Sequence, residues 1–424
     1  MPAFDTRRPP QREIVEDCVH CGFCLDTCPT YALWANEADS PRGRIVLIGE
    51  GLDAATQLSD EMVTHFDRCL GCMACVTACP SGVRYDRLIE RVRPQVERHH
   101  RRRSGERMLR KLLFATLPHP RRLRALAPML APARSLGAGN LPGGLGALAR
   151  VAPRVPARKA FRFRLPARTA AVGPQRGRVG LLLGCVQRVF YPEVQIATIR
   201  ALAAEGFEVL APAAPGCCGA LEFHAGEEGR AISRAQETIS AFSLLGVDYL
   251  VTTAAGCGSA MKEYGDLLDT SEAHAFAGRV RDVTELLGSV EPTAPRGPLP
   301  MRVVYHDACH LGHAQGVREQ PRQLLRAIPE LELLEVGVER ELCCGSAGIY
   351  NLIQPEAGAE LGARKSIHLI DTGAEAIAAA NPGCAAQLDF HLRRLGHPLP
   401  IHHPIELLWR SIRAAGSNGA TSHP

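Results

Sequence analysis

Short apolar runs recur through the second half of the chain, and cysteines follow them. Such runs begin at Val179, Tyr249, Val303 and Ala376. Segments compatible with helices, such as 194–205 and 231–245, lie between them. This alternation predicts α/β units in which each strand ends in a cysteine-bearing loop. Ligands gather at the carboxyl ends of the strands in such sheets, so loops that are distant in sequence would present their thiols to one point.

The second half of the chain is also an internal repeat. Cys185 aligns with Cys309 at an offset of 124 residues, the pair in Gly216-Cys-Cys-Gly aligns with the pair in Leu342-Cys-Cys-Gly at 126, and Cys257 aligns with Cys384 at 127. One module has therefore been duplicated. Module one (177–295) and module two (301–412) each contribute four candidate cofactor-binding cysteines: Cys185, Cys217, Cys218 and Cys257 in the first, and Cys309, Cys343, Cys344 and Cys384 in the second.

Two identical cysteine motifs occupy the first hundred residues. Each has the spacing C-x2-C-x2-C-x3-C-P, from Cys18 to Pro29 and from Cys69 to Pro80. Three closely spaced thiols suit one face of a 4Fe-4S cubane, and the fourth cysteine binds the other cluster in two-cluster ferredoxins. The predicted ligand sets are Cys18, Cys21, Cys24 and Cys79 for cluster one, and Cys69, Cys72, Cys75 and Cys28 for cluster two. Structural zinc sites are the alternative, but they use paired C-x2-C halves from separate knuckles.

These patterns predict a multidomain α+β and α/β protein. We expect a ferredoxin-like domain of the helical, two-4Fe-4S bacterial type over 1–97, and a basic, helical linker rich in proline and arginine over 98–176. The two α/β modules follow, and a flexible tail covers 413–424. The length of 424 residues is sufficient for several hydrophobic cores.

Charge is distributed unevenly along the chain. Between Arg98 and Arg178 there are twenty Lys or Arg residues and one acid, giving +19, whereas the whole chain carries +5. Arginines among Leu and Ala, as in 121–127, suit a helix on a bilayer surface, and a solvated linker is the equally open alternative. No zinc finger or helix-turn-helix accompanies the charge, so no nucleic-acid partner is expected. No apolar stretch of membrane-spanning length and no secretory signal is seen, which favours a cytoplasmic location, with peripheral membrane association as an option.

Several segments together resemble the iron-sulfur subunits of bacterial glycolate oxidase. They are Cys18-Val-His-Cys-Gly-Phe-Cys-Leu-Asp-Thr-Cys-Pro-Thr-Tyr31, Ser40-Pro-Arg-Gly-Arg-Ile45, the second motif from Asp67 to Val83, and Cys-Cys-Gly-Ser-Ala-Gly at 343–348. The resemblance implies a glycolate dehydrogenase complex in which FAD-binding subunits oxidise glycolate to glyoxylate. This chain would carry the electrons onward to a membrane quinone. The related subunits of glycerol-3-phosphate dehydrogenase and of other 2-hydroxy-acid dehydrogenases share the layout and remain alternatives.

The cysteine modules leave more than one interpretation open. In the similar catalytic subunit of heterodisulfide reductase, each module ends in C-x2-C and binds a noncubane cluster, whereas Ala254 and Asn381 stand at the first position of that ending here. Iron-sulfur centres, redox thiols and a structural remnant are all compatible with the remaining cysteines. His306, His310 and His313 flank Cys309 and are either ligands or proton carriers, or polar residues with ordinary hydrogen bonds.

Two functional hypotheses follow. The first is a subunit of an oxidoreductase complex that transfers electrons but has no catalytic residue of its own, because the sequence has no G-x-G-x-x-G, Walker or G-x-S-x-G motif. The second is a self-contained thiol-disulfide reductase of the heterodisulfide type, with a cysteine module as its centre. We favour the first hypothesis. It predicts two 4Fe-4S clusters in the N-terminal domain, and further iron-sulfur centres only if the cysteine modules bind metal.

Overall fold

The computed structural model describes residues 2–53, 56–135, 143–153 and 165–419. The N-terminal region is built from short helices: α1 (Arg12–Glu16), α2 (Pro29–Trp34), a 3-10 turn (Glu37–Asp39), α3 (Pro41–Gly51), α4 (Asp60–Arg68), α5 (Ala74–Ala78) and α6 (Tyr85–His99). Local sequence sets the helix starts. Ser40 accepts a hydrogen bond from Gly43 N and precedes Pro41 at the first helical position, and Ser59 accepts one from Met62 N.

The basic segment continues as three helices, α7 (Ser104–Thr116), α8 (Pro120–Ser135) and α9 (Gly143–Val151). It packs against both modules. Leu113 and Phe114 of α7 lie in one apolar cluster with Ile349 of module two, and Leu123 of α8 packs against Phe190 of module one. The described part of the predicted linker therefore contributes to the cores of its neighbours. Residues 136–142 and 154–164 of that linker lie outside the described residues, as do 420–424 of the predicted tail.

Module one is a five-stranded sheet with helices on both faces. Its elements are β1 (Arg168–Thr169), β2 (Gly177–Leu181), α10 (Val186–Phe190), α11 (Pro192–Ala204), β3 (Phe207–Leu210), α12 (Ala220–His224), α13 (Glu228–Ser243), β4 (Tyr249–Thr252), α14 (Ala255–Lys262), α15 (Tyr264–Leu268), α16 (Ser271–Ala277), β5 (Val280–Asp282) and α17 (Val283–Gly288). The strand order is β1-β3-β2-β4-β5, and all pairs are parallel except β1 with β3.

Module two repeats this arrangement in a four-stranded parallel sheet. Its elements are β6 (Met301–His306), a π-helical turn (His310–Ala314), α18 (Glu319–Arg326), β7 (Leu331–Leu334), α19 (Tyr350–Ile353), α20 (Pro355–Ile370), β8 (Ala376–Ala379), α21 (Pro382–Arg394), β9 (Ile401–His402) and α22 (Pro404–Gly419). The order β7-β6-β8-β9 matches β3-β2-β4-β5 of module one. The predicted α/β character and duplication are therefore confirmed.

The two faces of each sheet are covered by different helices, as expected when successive side chains point to opposite sides. In β6, Val304 packs with Leu369 and Leu388, whereas Val303 and Tyr305 pack on the other face. The last helix, α22, crosses to the other module, where its Ile405, Leu408 and Ile412 join the core that contains Val179 and Leu202. The two modules are thus joined by a shared apolar core.

His403 fastens the start of α22 to module one, and we expect it to make the protein acid-sensitive. Its Nε2 lies 3.1 Å from the Thr253 carbonyl oxygen and its Nδ1 accepts from Ile405 N, while burial lowers its pKa from 6.5 to about 3. Below pH 6.5 the unfolded chain binds a proton here that the folded chain does not bind. Acidification from pH 7 to 5 should therefore cost the folded state about 2 kcal/mol through this residue.

Thermal midpoints at pH 7 and 5 test this expectation. His403→Gln should show a smaller loss on acidification than the wild-type protein, whereas the exposed His397→Gln should respond like the wild type. Equal acid responses of the wild type and His403→Gln would contradict the assignment.

None of the helices within the described ranges combines the length and the apolar character that a bilayer crossing requires.

Candidate metal centres

The two N-terminal cysteine loops have the same backbone conformation. His20 and Gly22 in the first loop, and Gly71 and Met73 at the matching positions of the second, all have positive φ values between 55° and 89°. Alternation of left-handed and right-handed residues turns successive amide N–H groups toward one side, which forms a concave site for an anion. A 4Fe-4S cluster held by four thiolates is such an anion, so the loops fit it.

The thiols gather in two neighbouring cavities. One is lined by Cys18, Cys21, Cys24 and Cys79, and the other by Cys28, Cys69, Cys72 and Cys75. Each cavity thus combines the three closely spaced cysteines of one motif with the last cysteine of the other motif, as the predicted ligand sets require. Cys75 also lines the first cavity, so the two cavities share a wall.

Cationic side chains and hydrogen-bond donors surround both cavities. Arg42 lines the first and donates to the His20 carbonyl at 3.0 Å, and the fully buried Arg44 lines the second. The sulfur of Cys69 accepts from Gly71 N at 3.4 Å and from Tyr85 Oη at 3.6 Å. These groups offset the negative charge of bound thiolates and tune the potential of a cluster.

Burial keeps three of these thiols protonated when no metal is bound. It raises the pKa of Cys24 to about 11 and that of Cys72 and Cys75 well above the ordinary value. Metal binding must therefore release these protons. A positive metal core removes the desolvation penalty of the thiolates, so the sites are suited to a metal and poorly suited to unbound thiolates.

In module one the four predicted cysteines meet at the carboxyl edge of the sheet. They follow β2, β3 and β4 and form a row of hydrogen-bonded thiols from Cys185 through Cys217 and Cys218 to Cys257. The hydrogen bond with Cys217, together with burial, raises the pKa of Cys185 well above its ordinary value.

Module two forms the same row after β6, β7 and β8. The sulfurs of Cys309 and Cys343 lie 4.0 Å apart, and Cys344 is hydrogen-bonded to Cys343 and Cys384. Asn381, at the position where the similar reductase has a cysteine, donates to Cys384 Sγ at 3.5 Å. The hydrogen bonds from Cys343 and His310 lower the pKa of Cys309 despite its burial. Module two therefore favours a thiolate even before a metal binds.

The N-terminal region touches the thiols of module two directly. Cys72 and Cys343 belong to one apolar cluster, with Cys309 at its edge. His313 Nδ1 accepts a hydrogen bond from the Arg318 guanidinium at 3.0 Å and lies 2.7 Å from Thr77 Oγ1. His313 is thus a polar residue that joins module two to the N-terminal region.

A cleft of about 80 Å³ opens between the N-terminal region and the modules. Its walls include Cys69, Arg93, His224, His310 and Tyr350. The rings of His224 and His310 lie 4.8 Å apart, and His224 Nδ1 is 2.9 Å from a Glu90 carboxylate oxygen. Within the described chain, His224 Nε2, His310 Nε2 and Tyr350 Oη have no hydrogen-bond partner.

Sequence reasoning did not find Glu90 or His224. They lie 134 residues apart and outside every cysteine motif, and only the packing of α6 against α12 makes them neighbours. Arg44 was within the Ser-Pro-Arg-Gly-Arg-Ile segment, but nothing in that pattern separates a buried arginine from an exposed one.

Comparisons with known proteins agree with this layout. A 4Fe-4S dicluster domain matches residues 14–83, and a cysteine-rich domain matches residues 179–262 and again 303–389. The chain is 34% identical over 399 residues to the probable glycolate oxidase iron-sulfur subunit of Bacillus subtilis, covering 90% of this chain and 89% of that protein. It is 34% identical over 414 residues to the glycolate oxidase iron-sulfur subunit of Escherichia coli, covering 94% of each. Lactate utilization protein A of Oceanobacillus iheyensis is 29% identical over 237 residues, which are 54% of this chain and 96% of that protein.

Proposed function

The chain belongs to the family of glycolate oxidase iron-sulfur subunits, and from this premise we propose that it carries electrons from FAD-binding subunits to a membrane quinone. Those partner subunits would oxidise glycolate to glyoxylate. When bound, each 4Fe-4S cluster accepts and releases one electron, and the protein sets the path by placing the ligands. The sequence has no recognisable nucleotide-binding motif, which supports placing the oxidation step on a partner.

The observation that carries the proposal is the serial placement of three thiol sets. The cavity of Cys18, Cys21, Cys24 and Cys79 shares a wall with that of Cys28, Cys69, Cys72 and Cys75. Cys72 in turn belongs to the same apolar cluster as Cys343 of module two. This order supports a path from cluster one through cluster two to module two.

The cleft lined by His310, the neighbour of Cys309 in module two, supports an organic acceptor at the end of this path. A quinone head group presents two carbonyl oxygens and takes up protons when it is reduced. His224, His310 and Tyr350 line the cleft, and each has a polar atom without a partner in the described part of the chain. These atoms are placed to hydrogen-bond such carbonyl oxygens.

Exposed side chains on α7 and α8 support peripheral contact with the membrane. Met108 and Leu112 lie one turn apart on α7, and Leu126 and Met129 lie on one side of α8. Exposed cations accompany them, at Arg107, Lys111, Arg121 and Arg122. Apolar side chains with flanking cations suit the surface of an anionic bilayer.

Glycolate-driven reduction of the clusters tests the proposed function. We expect anaerobically purified chain to stay oxidised when glycolate is added, and to be reduced within the turnover time once the flavoprotein subunits are present. The loss of visible absorbance and the appearance of a reduced-cluster EPR signal report this step. Reduction by glycolate without partner subunits, or no reduction with them, would overturn the proposal.

A further inference from the structure

His306 lies at the end of β6, one of the two inner strands of module two. Its side chain is only 1% exposed. Neither Nδ1 nor Nε2 makes a hydrogen bond of ordinary geometry among the described residues, and the polar group beside the ring is the Cys344 thiol. Leaving buried polar atoms unpaired destabilises the folded state. A group that is absent from the protein chain itself, such as a metal ion, would remove that cost.

The neighbours of His306 are metal ligands by chemistry. One ligand atom each from His306, Cys344 and Cys384 lies within 4.8 Å of the other two, and all three residues are buried. The strand order explains this, because β6 lies between β7 and β8. The loop after β7 carries Cys344, and the first turn of α21, after β8, carries Cys384. Ligands of a tetrahedral metal with bonds of about 2.3 Å are about 3.7 Å apart, so a small inward movement completes the site.

The same position in module one is different. The offset of 124 residues that relates Cys309 to Cys185 places Leu182 at the position of His306, and Leu182 is buried among apolar side chains. Module two therefore offers an imidazole in addition to its four thiols. The two modules are not equivalent as metal sites, although their sheets have the same strand order.

We propose that His306 ligates iron in module two, together with Cys344 and Cys384, as the nitrogen ligand of an iron-sulfur centre. The choice of iron rests on the proposed function. Thiolate and imidazole donors also accept zinc. However, Cys343 of the same row lies in one apolar cluster with Cys72, and a centre next to cluster two continues the electron path only if it is redox-active.

Nitrogen ligation has a consequence for the potential of this centre. A neutral imidazole in place of a thiolate leaves the cluster less negative, and histidine-ligated clusters accordingly have higher potentials than all-cysteine clusters. The centre in module two would thus accept electrons from the two all-thiolate clusters. His306 would be the residue that makes this direction favourable.

The test uses full-length, anaerobically purified and iron-reconstituted protein, grown with 15N-labelled or unlabelled histidine. We expect more than eight irons per chain, and pulsed EPR of the reduced and oxidised protein should show a strongly coupled nitrogen that changes with the label. His306→Leu should lose both the coupling and the irons above eight. This variant copies Leu182 of module one, so the end of the strand tolerates the side chain.

Two further variants separate ligation from folding. His306→Cys should keep the iron, lose the nitrogen coupling and lower the potential of one centre. His391→Gln alters another buried histidine of module two, on α21 and outside the ligand group, and should leave iron content and coupling unchanged.

The proposal is overturned if the wild-type protein holds only eight irons, if it binds zinc in place of the additional iron, or if His306→Leu keeps both iron and coupling. Failure here is distinguishable from failure of the proposed function. A protein with eight irons that is still reduced by glycolate through its partners retains the electron-transfer function. If the protein holds the nitrogen-ligated centre but glycolate does not reduce its clusters in the presence of the partner subunits, the metal site stands and the proposed function fails.

Discussion

Replacing Cys21 with serine should stop electron flow to quinone without stopping glycolate oxidation. Cys21 lines the first cavity, so the variant lacks one of the four thiolates predicted for cluster one. A serine hydroxyl is a poor substitute because the iron of these clusters binds soft thiolate sulfur in preference to an alcohol oxygen. In the assembled complex, quinone-linked glycolate oxidation should fall to the background rate. Reduction of an artificial dye by the flavoprotein subunits should stay at the wild-type rate.

The position of Cys21 makes this a clean test. Its side chain is exposed, and it does not belong to the apolar cluster that contains Cys18 and Cys24, so the substitution removes a ligand and leaves the core intact. Val19→Ser is a matched control, since Val19 lies in the same loop and is 68% exposed. It should keep both activities. Unchanged quinone-linked activity in Cys21→Ser would exclude cluster one from the path.

The cysteine pattern predicted contacts between the two N-terminal motifs as well as the motifs themselves. The rule that the fourth cysteine of each motif crosses to the other cluster placed Cys28 with Cys69 and Cys79 with Cys18, and the structure brings these residues together. The predicted helices at 194–205 and 231–245 correspond to Pro192–Ala204 and Glu228–Ser243. The spacing of residues predicts these loops and helices because a tight loop and an amphipathic helix are both determined by residues that are close in sequence.

Contacts between distant segments could not be predicted in this way. His306 was noticed because it precedes Cys309, but the sequence favoured an ordinary polar residue at a strand end. Its role as a candidate metal ligand depends on Cys344 and Cys384, which follow the two neighbouring strands. The pairing of His224 with Glu90 and the insertion of α22 into the core of module one are likewise products of tertiary packing.

The buried charges beside cluster two lead to the second prediction of large effect. Arg44 and Asp39 are 1% and 0% exposed, and their nearest charged atoms lie 3.5 Å apart. Arg44 Nε donates to the His65 carbonyl oxygen at 2.6 Å, and its two terminal nitrogens donate to Thr30 Oγ1 at 3.2 Å. Arg68 and His65 complete the shell around the Asp39 carboxylate, at 2.7 and 2.9 Å. This network fixes the segment that leads from Cys28 to the second motif.

Arg44→Met should therefore destabilise the protein by about 3–5 kcal/mol, because it removes one partner of a buried ionic network and leaves the other partner in place. It should also lower the potential of cluster two, since Arg44 lines that cavity and its positive charge favours the more negative, reduced cluster. Arg44→Lys should recover part of the potential shift but little of the stability, because an ammonium group cannot make the same set of planar contacts.

Thermal unfolding and an EPR-monitored redox titration measure the two effects separately. Arg12→Met is the control for stability. Arg12 pairs with Asp53 on the surface, where both side chains are about half exposed or more, and such pairs contribute less than about 1 kcal/mol. A potential unchanged in Arg44→Met would mean that the charge of Arg44 is neutralised by Asp39 before it acts on the cluster. In that case the network serves to hold the loop of Cys28 in place, and the hydrogen bonds to Cys69 from Gly71 and Tyr85 remain as the groups that set the potential.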